Sequence, residues 1–216
     1  VNRTAVLVLG VMGPEAIDAT PELTKLLYNH PVNQNIVFTL IRIGKGAIPN
    51  MIDVLAETAL TRTTNLKHAT ARNKAMEVLV GLGETAVPAL IEVLQSEKRD
   101  VGQTSAVTVL GMMGAKAKEA IPALIDYIQN SNRYQKEKTV DPGTKYIPIH
   151  DALLKMLKEA DVTYGVEALG NIGVEAKAAV PVLVQIYKNP EYSDNLEIRR
   201  CIIVALSEIQ SMPEIS

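Results

Sequence analysis

The chain has no Trp, one Phe and one Cys in 216 residues, and no surplus of positive charge. Each shortage excludes something. Aromatic residues make up 4 % of the chain while apolar residues make up 47 %. A core of Leu, Ile, Val, Ala and Met suits closely stacked helices better than a β-sandwich, which draws on aromatic and β-branched side chains. The lone Cys201 cannot form an internal disulfide, which leans toward a reducing, cytoplasm-like compartment. With 22 Lys and Arg against 24 Asp and Glu, the basic excess of an obligatory phosphate binder is missing. Nucleic acid is therefore not the expected partner. No apolar run approaches the roughly 20 residues of a bilayer-spanning helix, so no membrane span is expected, and no signal-peptide pattern stands at the start. The chain opens Val1-Asn2-Arg3 inside a helical pattern and without Met, so the natural N-terminus is expected upstream.

What is present is a repeat. One phrase recurs as Leu9-Gly10-Val11-Met12-Gly13, Leu40-Ile41-Arg42-Ile43-Gly44, Leu79-Val80-Gly81-Leu82-Gly83, Leu110-Gly111-Met112-Met113-Gly114 and Leu169-Gly170-Asn171-Ile172-Gly173. After each closing Gly comes Ala-x-Pro, ending at Pro21, Pro49, Pro88, Pro122 and Pro181. The Gly-to-Pro step is 8, 5, 5, 8 and 8 residues, and the difference is close to one helical turn. The closing Gly suits the left-handed position that ends a helix. In the two short copies Pro fits the first turn of a second helix, where its missing N–H costs nothing. In the three long copies an extra turn precedes Pro, which predicts a kink or break there. Two, five and six residues after Pro the positions are apolar, as in Met51, Val54 and Leu55, which is one-face helical spacing.

These phrases, with Ala168-Leu169-Gly170-Asn171-Ile172-Gly173, Ala176, Ala179-Val180-Pro181 and Leu183 as the fullest copy, resemble the HEAT repeat. The likeness is to the bacterial short-repeat variety related to phycobilisome-lyase repeats, over nearly the whole chain except 131–157. The resemblance implies an all-α, right-handed α-solenoid of helical hairpins with about 11 helices. It also implies second helices lining a concave surface, and protein–protein scaffolding as the activity.

The expected organisation is one solenoid over 1–216, with repeats near 1–30, 31–59, 66–97, 99–130 and 148–190 and a partial copy over 195–212. From each Pro to the next closing Gly the distances are 23, 34, 26 and 51 residues. The last marks an insertion over 131–147, with Asp141-Pro142-Gly143 as a turn. Ile149, Leu153, Leu154 and Leu157 then read as an added helix or as an extension of the fifth first-helix. Leu196 to Ile209 resembles one more first-helix, with Gln210 where the closing Gly would stand. Solenoids normally end in polar caps and neither terminus has one, so the chain is expected to be part of a longer protein or to dock its ends.

Catalytic signatures are sparse. His30, His68 and His150 are far apart, and no His-Glu pair exists, so the metal-binding HEAT hydroxylases are not matched. Without Trp, the DNA-glycosylase relatives are not matched either. The Gly residues follow helices rather than strands, which removes nucleotide-binding loops. Cys201 reads as a small apolar helix residue. No enzyme, metal or cofactor is expected.

Two charged sets remain. Four residues after each Pro stand Lys25, Asp53, Glu92, Asp126 and Gln185, opposite the apolar face by helical spacing, with Glu57 near. Asp53, Glu92 and Asp126 would make an acidic centre for a basic peptide or cationic partner surface; a plain solvated helix face is the alternative. Arg62, Lys67, His68, Arg72 and Lys74 form a basic cluster without interleaved aromatics, a weak pattern for nucleic acid. A protein-binding scaffold using the second helices is the leading expectation. A bilin-lyase-like subunit and a nucleic-acid-binding solenoid are the alternatives.

Overall fold

The computed structural model describes residues 3–29, 34–60, 66–96, 101–130 and 148–210, and all regular structure among them is helical. Compact packing divides the chain into two units, Val1–Met113 and Gly114–Ser216.

In the first unit, α1 (Arg3–Met12) and α2 (Thr20–Asn29) flank a 3-10 segment over Gly13–Ala19. α3 (Gln34–Ile43) and α4 (Ile48–Leu60) flank Gly44–Ala47, and α5 (Leu66–Leu82) and α6 (Val87–Gln95) flank Gly83–Ala86. α7 (Val101–Met113) closes the unit. The second unit opens with a 3-10 segment, Gly114–Ala120, and continues with α8 (Ile121–Gln129) and α9 (Pro148–Ile172). After Gly173–Ala179 come α10 (Val180–Lys188) and α11 (Leu196–Gln210).

Each repeated residue has a mechanical job. The five closing glycines, Gly13, Gly44, Gly83, Gly114 and Gly173, have φ between 58° and 80°, the left-handed region that costs a residue with a Cβ. No described residue other than Gly has positive φ. The first helix stops because the chain turns at that Gly. In the short copies four residues then form a 3-10 turn; in the long copies seven do. The three added residues bring the predicted break, with Ala16, Ala117 and Ala176 leaving helical geometry at ψ 19°, 16° and 20°. The break absorbs the added turn ahead of Pro, so Pro opens the second helix in long and short copies alike.

The core follows the same register. Leu40, Leu79, Leu110 and Leu169 are fully buried, as are Met51, Leu55, Leu90, Leu124 and Leu183 two or six residues after Pro. First helices pack on first helices: α1 on α3, α3 on α5 and α5 on α7 in one unit, α9 on α11 in the other. Close approach there is polar as well as apolar. Thr39 Oγ1 donates to the Val6 carbonyl at 2.9 Å, and Arg42 Nε donates to the Gly10 carbonyl at 2.5 Å.

Of the two readings of 149–157, the structure adopts the extension: α9 runs unbroken from Pro148 to Ile172. The insertion over 131–147 lies outside the described residues. Asn195 Oδ1 accepts from the Ile198 amide at 3.0 Å and caps α11. By length and composition alone, Lys155–Lys188 is apolar enough to cross a bilayer. That stretch is interrupted at Gly173 and Ala176, and its Val166, Leu169, Ile172 and Leu183 are already buried in the second unit.

Candidate functional site

The positions four residues after Pro all point to solvent: Lys25, Asp53, Glu92, Asp126 and Gln185 are exposed. Helical periodicity puts them there, since the positions two and six after Pro are turned into the core. Their surroundings differ. Lys25 Nζ lies 3.1 Å from Glu22 Oε2 one turn earlier, so the first copy is neutralised within α2. Asp126 accepts a hydrogen bond from the Asn130 side chain on α8. The side chain of Glu57 lies outside the described residues.

Asp53 and Glu92 are brought together. They stand on α4 and α6, second helices of successive copies, and line one open groove of about 460 Å³. Ile48, Pro49, Ile52, Ala89 and Val93 give it an apolar floor. Asp126 belongs to the second unit, as does Gln185, which lines a groove of about 770 Å³ with Gln129, Lys188 and Tyr192. An apolar trough edged by carboxylates can bury an apolar side chain while attracting a cation at its rim.

The basic set is less concentrated than its spacing suggested. Arg62 lies outside the described residues. Lys67 is exposed and Arg72 half-buried. His68 is half-buried with its ring edge-on to Tyr28, centroids 5.4 Å apart. Lys74 Nζ is 2.7 Å from Glu77 Oε2. Two of its members are thus committed to packing or pairing.

Two further features escaped the sequence reading. Lys158, its side chain 7 % exposed, places Nζ 2.5 Å from Glu191 Oε1 and 5.5 Å from the centre of the Tyr192 ring. One turn on, buried Asp161 accepts from the Tyr127 hydroxyl at 2.5 Å. Both lie at Leu169 minus 11 and minus 8, on the ridge that buries Leu169, so polar residues at core spacing were the available signal. Between α9 and α11 runs a groove of about 1120 Å³ lined by Glu167, Glu197, Arg200, Cys201 and Glu208. Burial first, and then the Glu167 carboxylate with its hydrogen bond at 3.8 Å, push the Cys201 thiol above its ordinary range. A nucleophilic cysteine needs the opposite environment. Among the described residues no group of three or more His, Cys, Asp or Glu side chains is placed to hold a metal.

Comparison with known protein families, with curated proteins and with solved structures finds no match to this chain.

Proposed function

We propose that the chain is a HEAT-type right-handed α-solenoid of about 11 helices. It acts as a non-catalytic scaffold that binds a protein partner on the exposed face of its second helices, without metal, cofactor or membrane span. The observation that carries this reading is the α4–α6 groove, where Asp53 and Glu92 from successive copies edge one apolar trough. A repeat protein gains a binding surface in this way, because equivalent positions on neighbouring hairpins add up to a continuous face. The occupant that suits the groove is a segment carrying Lys or Arg beside an apolar anchor.

The test is capture from native extract with the wild-type chain and with a variant carrying Asp53→Lys and Glu92→Lys. Both substitutions are at exposed positions, so the fold is expected to survive. The reading predicts a stoichiometric protein partner retained by the wild type at low salt and lost by the variant. A partner held equally by both chains, with the same salt dependence, contradicts it.

A further inference from the structure

Two contacts between first helices share one pattern. Where α3 crosses α1, Thr39 lies against Gly10; where α11 crosses α9, Ala205 lies against Gly170. Each glycine directly follows its helix's Leu, Leu9 or Leu169, and Thr39 and Ala205 directly precede Leu40 and Leu206. Two residues beyond Leu the charge changes sign. In α3 that residue is Arg42, whose Nε donates to the Gly10 carbonyl at 2.5 Å in the last turn of α1. A cation belongs there, because the dipole leaves partial negative charge at a helix C-terminus. In α11 the residue is Glu208, a carboxylate. The corner is wider as well. A Cβ added at Gly13 would stand 3.3 Å from the Arg42 carbonyl, whereas one at Gly173 would meet nothing within 4 Å.

The α9–α11 groove of about 1120 Å³ thus carries a carboxylate where its counterpart has a guanidinium. Glu167, Glu197 and Glu208 line it together with one cation, Arg200, and all four are exposed. The Cys201 thiol on the same wall reports the local field: after burial, Glu167 and then Glu197 push it up, and Arg200 draws it down least. Val204 and Leu196, 51 % and 79 % exposed, add apolar surface. These places stay open on a first helix that has neighbours on both sides. α3 lies between α1 and α5, and α5 between α3 and α7. Two residues before and after their Leu stand Phe38 and Arg42, and Glu77 and Gly81, all exposed. Glu167, Val204 and Glu208 hold the same places in α9 and α11.

We infer that this groove docks an arginine-bearing segment of a partner protein. The guanidinium enters beside the Gly170 carbonyl, with Glu167 and Glu208 as its carboxylates, in the place that Arg42 takes beside Gly10. An apolar neighbour on the segment rests on Val204. Arginine suits the groove better than lysine, since its planar fork donates to a carboxylate and a carbonyl at once, while an ammonium acts as a point charge. The α4–α6 groove has no part in this contact.

The test is fluorescence anisotropy with a short labelled peptide of alternating leucine and arginine. The full 216-residue chain is used with Asp53→Lys and Glu92→Lys in place, which takes the α4–α6 groove out of the measurement. Saturable binding is expected, weakened by added salt. Lysine in place of arginine should weaken it several-fold, and citrulline, which keeps the shape without the charge, should abolish it. Glu167→Gln combined with Glu208→Gln should weaken it by about tenfold or more, through the loss of charge-assisted contacts. Glu208→Arg is the sharper variant, since it supplies from within the cation that α3 has. It should abolish binding while the thermal melt stays where it was or rises; all the substituted positions are exposed. Absence of saturable binding overturns the inference, as do equal affinities for the arginine and lysine peptides, or a folded Glu208→Arg chain that binds as before. Should Glu208→Arg melt early, the Gln pair decides: undiminished binding there overturns the inference too.

Discussion

Gly170 lies under Ala205 so closely that a Cβ on the glycine would stand 3.0 Å from both the Cα and the Cβ of Ala205. Backbone cannot step aside as a side chain can. Gly170→Ala is therefore expected to force α9 and α11 apart and to destabilise the chain by about 1–3 kcal/mol, the cost of overpacking, less the ~1 kcal/mol that Ala gains over Gly in a helix. At Gly10 the nearest atom is the Thr39 hydroxyl oxygen, 2.9 Å from the added Cβ. That hydroxyl can rotate away at the expense of its hydrogen bond to Val6. Urea unfolding should rank Gly170→Ala as the more damaging change; the reverse order would refute this packing account.

The closing glycines make a separate prediction. Gly44 has φ 80°, and an added Cβ there meets nothing within 4 Å. Gly44→Ala is thus expected to cost only the left-handed backbone strain, about 1–2 kcal/mol. Gly44→Asn should cost less, since Asn tolerates that region. A thermal melt in which Ala and Asn are equally harmless would mean that the turn does not need the left-handed residue.

That turn is also where the residues were most informative. The spacing of Leu, Gly and Pro located the joints between first and second helices, because an αL stop and a missing N–H are local demands that only particular residues meet. The three extra residues of the long copies were readable as an added turn. A break ahead of Pro was readable with it; the 3-10 form of the segment and the position of the break at Ala16, Ala117 and Ala176 were not, since Ala carries no signal for a break. Exposure of Asp53 and Glu92 followed from period alone. Their shared groove required knowing that α4 and α6 lie side by side. The Lys158–Glu191 pair joins residues 33 positions apart, and no local pattern encodes that.

At this pair the partners are unequally buried, which gives an asymmetric prediction. Glu191→Ala leaves the enclosed Lys158 ammonium without its carboxylate and is expected to cost about 1–3 kcal/mol, toward the lower end because Glu191 is itself partly exposed. Lys158→Met removes the buried charge and keeps the aliphatic stem, so it should cost less. Denaturant titration of both variants checks the order. Equal losses would show that the ion pair itself, and not the stranded charge, sets the energy.

Cys201 predicts a pH effect. Its thiol is held up by burial and by Glu167, so the folded chain keeps the proton to higher pH than the unfolded one. The stability this contributes is present below the unfolded thiol pKa and declines as pH rises past it. Alkylation of the folded chain should be slow at neutral pH and accelerate only above the ordinary thiol range. Glu167→Gln should move that acceleration to lower pH without restoring ordinary behaviour, since burial, the larger cause, remains. A thiol in the folded chain that reacts as fast as a free one at neutral pH would contradict this reading.

A photo-crosslinking amino acid placed at Ile52, on the floor of the α4–α6 groove, tests the scaffold proposal most directly when the chain is irradiated in native extract. The expected product is one protein adduct that forms from position 52, disappears when Asp53 and Glu92 are reversed to Lys, and does not form from a probe at Glu119. An adduct formed from Glu119 and absent from position 52 would place the binding surface elsewhere and contradict the proposal.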